Sequence, residues 1–345
     1  MATLTLRNGR VIGDYRAPYV IAELNTSHFG DMDIARAMID RAREAGCDCV
    51  KFQSWSTESL YSESYYRQNA IAKRIVHKFS MDEEALKALS VYCASVGIDF
   101  ASTPYSRREA AFLVEDCNVP FIKIASMELN NLPYLTYLGE LGAPLVLSTG
   151  MGTLEEIITA VRTVEATGNR DIVILHCTSV YPAPPETIRL QNILGLRSEF
   201  PAYPIGYSDH SIGIEIPAAS VALGAGVIEK HFTLDSSRIG MDNQMATEPE
   251  EMARMIAACH TVHKALGGTG RILDPAERDQ IPKMRRSLIA ARPLKAGDLI
   301  AAEDLDAKRP GTGLPPGDMA VLIGKRLTRD IEADAAIAAS DVEAP

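Results

Sequence analysis

Short apolar runs that end in polar or ionisable side chains recur eight times along the first 232 residues, at 20–23, 49–53, 99–103, 121–126, 145–149, 172–178, 205–210 and 227–231. Between most of them lies a segment long enough for a helix, such as 33–45 and 154–166. Strand alternating with helix predicts a parallel sheet, because each parallel connection needs a crossover. Eight such units predict an α/β fold, a closed (β/α)8 TIM barrel, whose site is assembled at the C-terminal ends of the strands. The polar residues that close each run fall at those ends.

Turn and cap residues fit the same frame. Asp31 or Asp33 can cap the first helix and Gly46 can stop it. Upstream, residues 4–11 alternate around Asn8-Gly9, a hairpin signal, and such a hairpin would close the bottom of the barrel. Residues 54–79 form a long insertion after the second strand, rich in Tyr and holding Trp55, where a lid or substrate wall is expected. Alternation stops after a helix at 248–266. The pattern divides the chain into a barrel with its N-terminal hairpin at 1–270, a linker at 271–286 and a turn-rich domain at 287–345. A domain of about 60 residues has a marginal core, so docking onto another surface is its expected support.

Composition narrows the function classes. At 345 residues and 46% hydrophobic content a large core is assured. No run approaches a membrane span and the N-terminus carries no signal-peptide core, so a cytoplasmic protein is expected. A net charge of -10 argues against a nucleic-acid partner, yet a cleft lined by a few cations can still take an anionic small molecule. The six cysteines form no CxxC pair and read as reduced core thiols.

His210 and His231 end the seventh and eighth runs, on strands about 4.8 Å apart in a closed barrel. Two imidazoles so placed can share a divalent cation, or serve as hydrogen-bonded strand ends; Asp209 and Glu229 flank them and could orient a ring. Lys51 and Lys123 interrupt runs that otherwise read as core, and a buried lysine needs a partner. Aimed at the barrel mouth, they make a pocket for phosphate or carboxylate. Ser126, Ser148 and Ser208 add hydroxyls, and the glycine-rich stretch 148–153 opens a helix; alone it reads as a tight βα turn, and beside two lysines its helix N-terminus is expected to complete an anion site. Glu23 suits general acid/base work or an ion pair with Lys51. Glu128 and Asp242 are candidates for holding a polyol, with an Asx turn as the competing role of Asp242.

Taken in order, Ile21-Ala22-Glu23, Val50-Lys51-Phe52-Gln53, Lys123-Ile124-Ala125-Ser126, Ser148-Thr149-Gly150-Met151, His176-Cys177-Thr178 with Tyr181-Pro182, Ser208-Asp209-His210 and Glu229-Lys230-His231-Phe232 resemble the sialic acid synthases. Arg285-Arg286-Ser287-Leu288 and Lys308-Arg309-Pro310-Gly311-Thr312-Gly313 resemble that family's C-terminal SAF (antifreeze-like, β-clip) domain. The resemblance implies a transferase that condenses phosphoenolpyruvate with an N-acylated hexosamine, giving a nine-carbon nonulosonic acid and phosphate. It implies Mn2+ or Mg2+ at His210 and His231, and phosphoenolpyruvate on Lys51, Lys123, Ser126, Ser148, Ser179 and Ser208. Glu23, Gln53, Tyr181, Asp242 and Arg309 would meet the aminosugar, with Glu23, Lys51, Lys123 and Asp242 catalytic. A domain-swapped homodimer is also implied, in which the partner subunit's Arg309 completes the site. The chain departs from the family pattern at Leu24-Asn25-Thr26-Ser27-His28, and at Ser179 and Asn243, where many members carry asparagine and histidine. Products of legionaminate or pseudaminate type therefore stand beside N-acetylneuraminate. A metal-dependent pyruvate aldolase or lyase on the same barrel is the competing enzyme. A non-catalytic carbohydrate-binding protein has no use for so many converging ionisable groups.

Overall fold

The computed structural model describes residues 1–343. Chain contacts divide it into two units, Met1–Gly267 and a second from Gly268 onward. After a hairpin of β1 (Thr3–Thr5) and β2 (Val11–Gly13), the first unit holds eight parallel strands: β3 (Tyr19–Glu23), β4 (Cys49–Ser54), β5 (Asp99–Pro104), β6 (Ile122–Ile124), β7 (Leu145–Ser148), β8 (Ile172–Cys177), β9 (Ile205–Asp209) and β10 (Val227–His231). The order β5-β4-β3-β10-β9-β8-β7-β6 rolls into a near-closed barrel, with β5 and β6 side by side at the seam but not joined by a ladder. The predicted TIM barrel is thus the observed fold.

Helices form the outer layer, and their ends follow from capping. Helix α1 (Met32–Ala45) begins at Asp31, whose carboxylate accepts from the Asp33 and Ile34 amides, and stops at Gly46 in the left-handed conformation at φ 93°. Only glycine takes that turn without Cβ strain. Insertion helices α2 (Glu63–Gln68) and α3 (Ala70–Phe79) follow β4, and then come α4 (Glu83–Val96), α5 (Arg107–Glu115) and α6 (Leu132–Glu140). Helices α7 (Leu154–Ala166), α8 (Pro185–Ile188), α9 (Asn192–Glu199), α10 (Glu215–Ala222) and α11 (Pro249–Leu266) complete the layer. No described helix is long and apolar enough to cross a membrane.

The period of two along each strand sorts its side chains. Val20 and Ala22 of β3, Val50 and Phe52 of β4 and Ile228 of β10 join the core shared with the helices. Tyr19 and Ile21, Cys49 and Val227 instead face inward, where they meet Leu4, Leu6 and Ile12 of the hairpin. The hairpin therefore plugs the barrel from below with apolar side chains. Its strands pair one step outside the expected Asn8-Gly9 turn, leaving residues 6–10 as a five-residue connection closed by Leu6 N–H on the Arg10 carbonyl at 2.8 Å. Continuing up the inner face, the next alternate positions are Glu23, Lys51, Gln53, Glu229 and His231. Ladder register sets them beside one another, Glu23 opposite both Lys51 and His231, and Glu229 opposite Ser208.

The run at 121–126 yields a shorter strand than its apolar length predicts. Ala125 leaves the ladder and a 3-10 turn at Ser126–Glu128 carries Ser126 toward the mouth.

In the second unit, β11 (Ser287–Ala290) pairs antiparallel with β12 (Leu305–Lys308), and isolated bridges such as Leu294 with Ile331 and Leu327 with Val342 tie the remaining turns. Leu288, Leu294, Ile300, Leu322, Leu327 and Ile337 form its core. Short helices α12 (Pro275–Arg278) and α13 (Ile281–Met284) precede the sheet, and the Gly311 amide donates to the Pro282 carbonyl at 2.8 Å. A Cβ at Gly311 would come within 2.8 Å of that same helix, so the approach requires glycine.

Candidate active site

The ends of the barrel strands enclose a cavity of about 250 Å³. Its lining includes Glu23, Lys51, Gln53, Lys123, Ser126, Ser148, Ser179, Tyr181, Ser208, His210, His231 and Asp242, together with Glu229, Thr103, Tyr105 and Cys177. Thus twelve of the fourteen residues given substrate, metal or catalytic roles from the sequence meet at one place. Two do not. Glu128 is buried behind the wall, accepting from the Asn131 amide at 2.7 Å, and burial raises its pKa. Arg309 belongs to the second unit, where it is exposed and makes no hydrogen bond or ion pair among the described residues.

Electrostatics here centre on two lysines and two glutamates, each less than a tenth exposed. Lys51 is ion-paired with Glu23, lies 3.8 Å from Glu229 Oε2 and donates to Thr103 Oγ1 at 3.0 Å. Lys123 donates to Ser148 Oγ at 2.7 Å and stands 3.7 Å from Glu229 Oε1. Glu229 also accepts from Ser208 Oγ at 3.0 Å. Burial works against its charge, but Lys123 and Lys51 outweigh it and hold its carboxyl below the ordinary range. For Glu23 burial prevails: despite Lys51, and with Glu229 adding repulsion, its pKa rises. Burial likewise lowers Lys123, while Lys51 is raised because its two carboxylates overcome desolvation. In Glu23 and Lys123 burial thus disfavours the charged form, the opposite of the balance at Glu229 and Lys51.

Hydrogen bonds fix the neighbouring polar groups. Glu23 Oε1 accepts from the Asn25 amide at 3.1 Å and from Gln53 Nε2 at 3.0 Å. The Gln53 carbonyl in turn accepts from Trp55 Nε1 at 2.9 Å and Tyr105 OH at 3.3 Å, so its amide cannot flip away from Glu23. The insertion supports the cavity from behind, through Trp55 and a cluster of Trp55, Tyr66 and Val76 against which Tyr105 packs; none of residues 55–79 lines it, and the expected lid or wall is a buttress instead. Gly150 explains the glycine of the 148–153 stretch. A Cβ there would sit 2.2 Å from Ser179 Oγ and 2.8 Å from Ser126 Oγ.

At the helix that follows that stretch, part of the donor set expected to hold an anion is already engaged. Thr153 and Glu156 close a capping box on the first turn of α7, and Gly150 N–H is spent on Ser126 Oγ at 2.9 Å. Binding capacity rests on the lysines and serines. Asp209 is likewise turned away from the histidines. It accepts from Tyr207 OH at 2.8 Å and from Lys230 Nζ at 2.5 Å on the outer face of the strands. Asn243 is a loop staple, accepting from Thr233 Oγ1 at 2.7 Å and donating to the Asp235 and Arg238 carbonyls.

His210 and His231 face one another with ring centroids 5.3 Å apart, and Tyr181 stacks on His210 at 4.2 Å. The ring nitrogen Nδ1 of His210 lies 2.8 Å from the Thr178 carbonyl, which leaves Nε2 free. Burial and the surrounding cations push the His231 pKa far down, so its imidazole keeps a lone pair. Burial disfavours the charged form of His210 too, but Cys177 and the Thr178 carbonyl outweigh it and raise its pKa. Convergent imidazoles, that of His231 held neutral, suit a divalent cation whose remaining positions are filled by water or substrate oxygen. Among the described residues no cluster of three or more His, Cys, Asp and Glu is placed to hold a metal, so the protein would supply two ligands only.

A family model, the NeuB family, matches residues 38–271, about two thirds of the chain and most of the barrel. This protein belongs to the NeuB family. A SAF domain model matches residues 285–343. The NeuB-family chain is 39% identical to the Methanocaldococcus jannaschii protein MJ1065 over 94% of each chain. It is 34% identical to the N,N'-diacetyllegionaminic acid synthase of Legionella pneumophila, over 94% of this chain and 95% of the relative. Identity to the human N-acetylneuraminate-9-phosphate synthase is 35%, over 96% and 94%. Among solved structures it resembles the N-acetylneuraminic acid synthetase of Leptospira borgpetersenii, solved with citrate, at a TM-score of 0.75 and 33% identity over 81% of this chain and 95% of that one. Members of the NeuB family are typically metal-dependent and act as nonulosonic acid synthases.

Proposed function

We propose that this NeuB-family protein condenses phosphoenolpyruvate with an N-acylated hexosamine, ManNAc or a 2,4-diacetamido-trideoxyhexose, to give a nonulosonic acid and phosphate. The observation that carries the proposal is the convergence of Lys51 and Lys123, both buried, on one small cavity also lined by four serines. Such a pair is costly unless an anion joins it. Glu229 meets that need in the free protein, and the phosphate and carboxylate of phosphoenolpyruvate share it in the complex. The sugar class comes from the names of the relatives, whose differing products at similar identity leave the acyl pattern open.

Lys51 and Lys123, with Ser126, Ser148, Ser179 and Ser208, hold phosphoenolpyruvate so that its C3 faces the aldehyde carbon of the open-chain sugar. Gln53, Tyr181 and Asp242 hold the sugar hydroxyls and acyl group. His210 and His231 would hold a divalent cation, Mn2+ or Mg2+, which supplies Lewis-acid polarisation of the aldehyde oxygen. As the C–C bond forms, that oxygen takes a proton and becomes a hydroxyl, while positive charge develops at C2 beside the Glu23 carboxylate. Water adds to C2 and Glu23 takes its proton, the role for which a raised pKa suits it. The C2–O bond then breaks with its electron pair leaving on phosphate, and the 2-keto group forms as the added hydroxyl loses its proton. Lys51 and Lys123 neutralise the departing phosphate.

We extend the proposal to a domain-swapped homodimer in which the partner subunit's Arg309 meets the sugar. The exposed guanidinium, unengaged among the described residues, supports it.

Incubation with phosphoenolpyruvate, Mn2+ and a panel of 2-acetamido and 2,4-diacetamido hexoses tests the function. One member should give a keto acid and phosphate in equal amounts; a keto acid formed from pyruvate in place of phosphoenolpyruvate, with no phosphate released, would favour the aldolase or lyase.

A further inference from the structure

Asn25 touches two carboxylates of the cavity at once, and the mechanism above assigns it nothing. Its backbone N–H donates to Glu23 Oε1 at 3.1 Å and its side-chain Nδ2 donates to Asp242 Oδ2 at 2.8 Å, across 217 residues of sequence. It is buried, and its φ of 41° is left-handed, a conformation asparagine tolerates better than other non-glycine residues. Four residues on, Phe29 repeats that conformation at φ 55° and turns its ring under the Arg238 guanidinium, 3.8 Å from the ring centroid. A Cβ on Gly240 would lie 3.3 Å from the same ring, so the loop sits down on Phe29 with no room to spare.

The segment that carries Asp242 is thus pinned three times: at its base by Asn243, midway by Phe29, and at the cavity by Asn25. Only the last of these bonds reaches a cavity residue. From this we infer that Asn25 is a positioning residue that latches the loop at 235–243, so that Asp242 faces the sugar at a fixed distance from Glu23. A charge-assisted bond from a buried amide to a half-buried carboxylate is strong enough to choose one loop position over a solvated alternative. The latch as a sugar-positioning device rests on the proposed synthase function; as a loop anchor it does not.

Two readouts keep these apart. Asn25→Gly retains the backbone donor to Glu23 at a φ that glycine accepts freely, and removes only the amide. In that variant, amide hydrogen exchange across 236–246 should accelerate at least tenfold. The aminosugar KM should rise about tenfold, with the phosphoenolpyruvate KM unchanged. Asn25→Asp places carboxylate against carboxylate and should open the loop as far. The double variant Asn25→Asp, Asp242→Asn restores a donor and an acceptor with their roles exchanged, and should return the exchange protection whatever its turnover. Unchanged exchange in Asn25→Gly, or no recovery of protection in the double variant, overturns the latch. If wild type converts no aminosugar at all, the synthase proposal fails while the exchange data still decide the latch.

Discussion

Glu229 Oε1 stands 3.7 Å from the ammonium of Lys123, close enough to neutralise it and too far to hold it as a short hydrogen bond. The same carboxylate lies 3.8 Å from Lys51, which also pairs with Glu23, so two carboxylates face two buried ammoniums before any substrate enters. Glu229→Gln removes that balance. It should lower stability by about 3 kcal/mol, the cost of stranding a buried charge. Phosphoenolpyruvate should then raise the melting temperature of the variant more than that of wild type. Differential scanning calorimetry with and without phosphoenolpyruvate checks both halves.

Lys51→Met and Lys123→Met each remove one charge-assisted contact, worth about 1.5–3 kcal/mol. The KM for phosphoenolpyruvate should therefore rise about 10- to 150-fold, or turnover should vanish, while circular dichroism stays native. Unchanged phosphoenolpyruvate kinetics would place the substrate elsewhere.

Exhaustive chelation should abolish activity, and Mn2+ or Mg2+ should restore it to wild type but not to the His210→Ala, His231→Ala double variant. Isothermal titration with Mn2+ offers an activity-free check: the double variant should show no binding at this site.

Lys230 lies between two cavity residues in sequence, yet its ammonium is bonded to Asp209 and the Ser211 carbonyl on the outer side of β10. Breaking that pair with Lys230→Met should destabilise the barrel by about 3–5 kcal/mol, leaving the KM of both substrates near wild type in whatever remains folded. Denaturant unfolding and steady-state kinetics on the same preparation separate the two effects.

Mixing Lys123→Met with Arg309→Ala tests the swapped dimer. If the arginine acts across the interface, one site of each heterodimer holds both wild-type residues, and activity returns on co-refolding. Inactive mixtures of verified heterodimers would assign Arg309 to the surface.

The case of Lys230 also shows how far the chain could be read before its fold was known. Strand number, helix ends at Asp31 and Gly46, and the inward set of Glu23, Lys51 and Lys123 follow from local periodicity and caps, and local rules sufficed. Which face a residue takes depends on strand register. For that reason sequence proximity alone sets Asp209 beside the histidines, although the period of two turns it, like Lys230, away from the face of Ser208, Glu229 and His231. That alternation was available in the run Glu229-Lys230-His231, and it would have marked Glu229 as a cavity residue. At α7, Thr153 and Glu156 spell a capping box in the sequence, which takes up two of the amides at the head of the helix. Nothing local links Asn25 to Asp242, because their contact exists only once the barrel has closed.

The most direct test of the synthase mechanism is the fate of the bridging oxygen of phosphoenolpyruvate. With that oxygen labelled as 18O, and the matching aminosugar present, phosphate should carry the label and the keto oxygen of the product should come from water. Label retained in the keto acid would mean that the P–O bond breaks instead, contradicting addition of water at C2 beside Glu23.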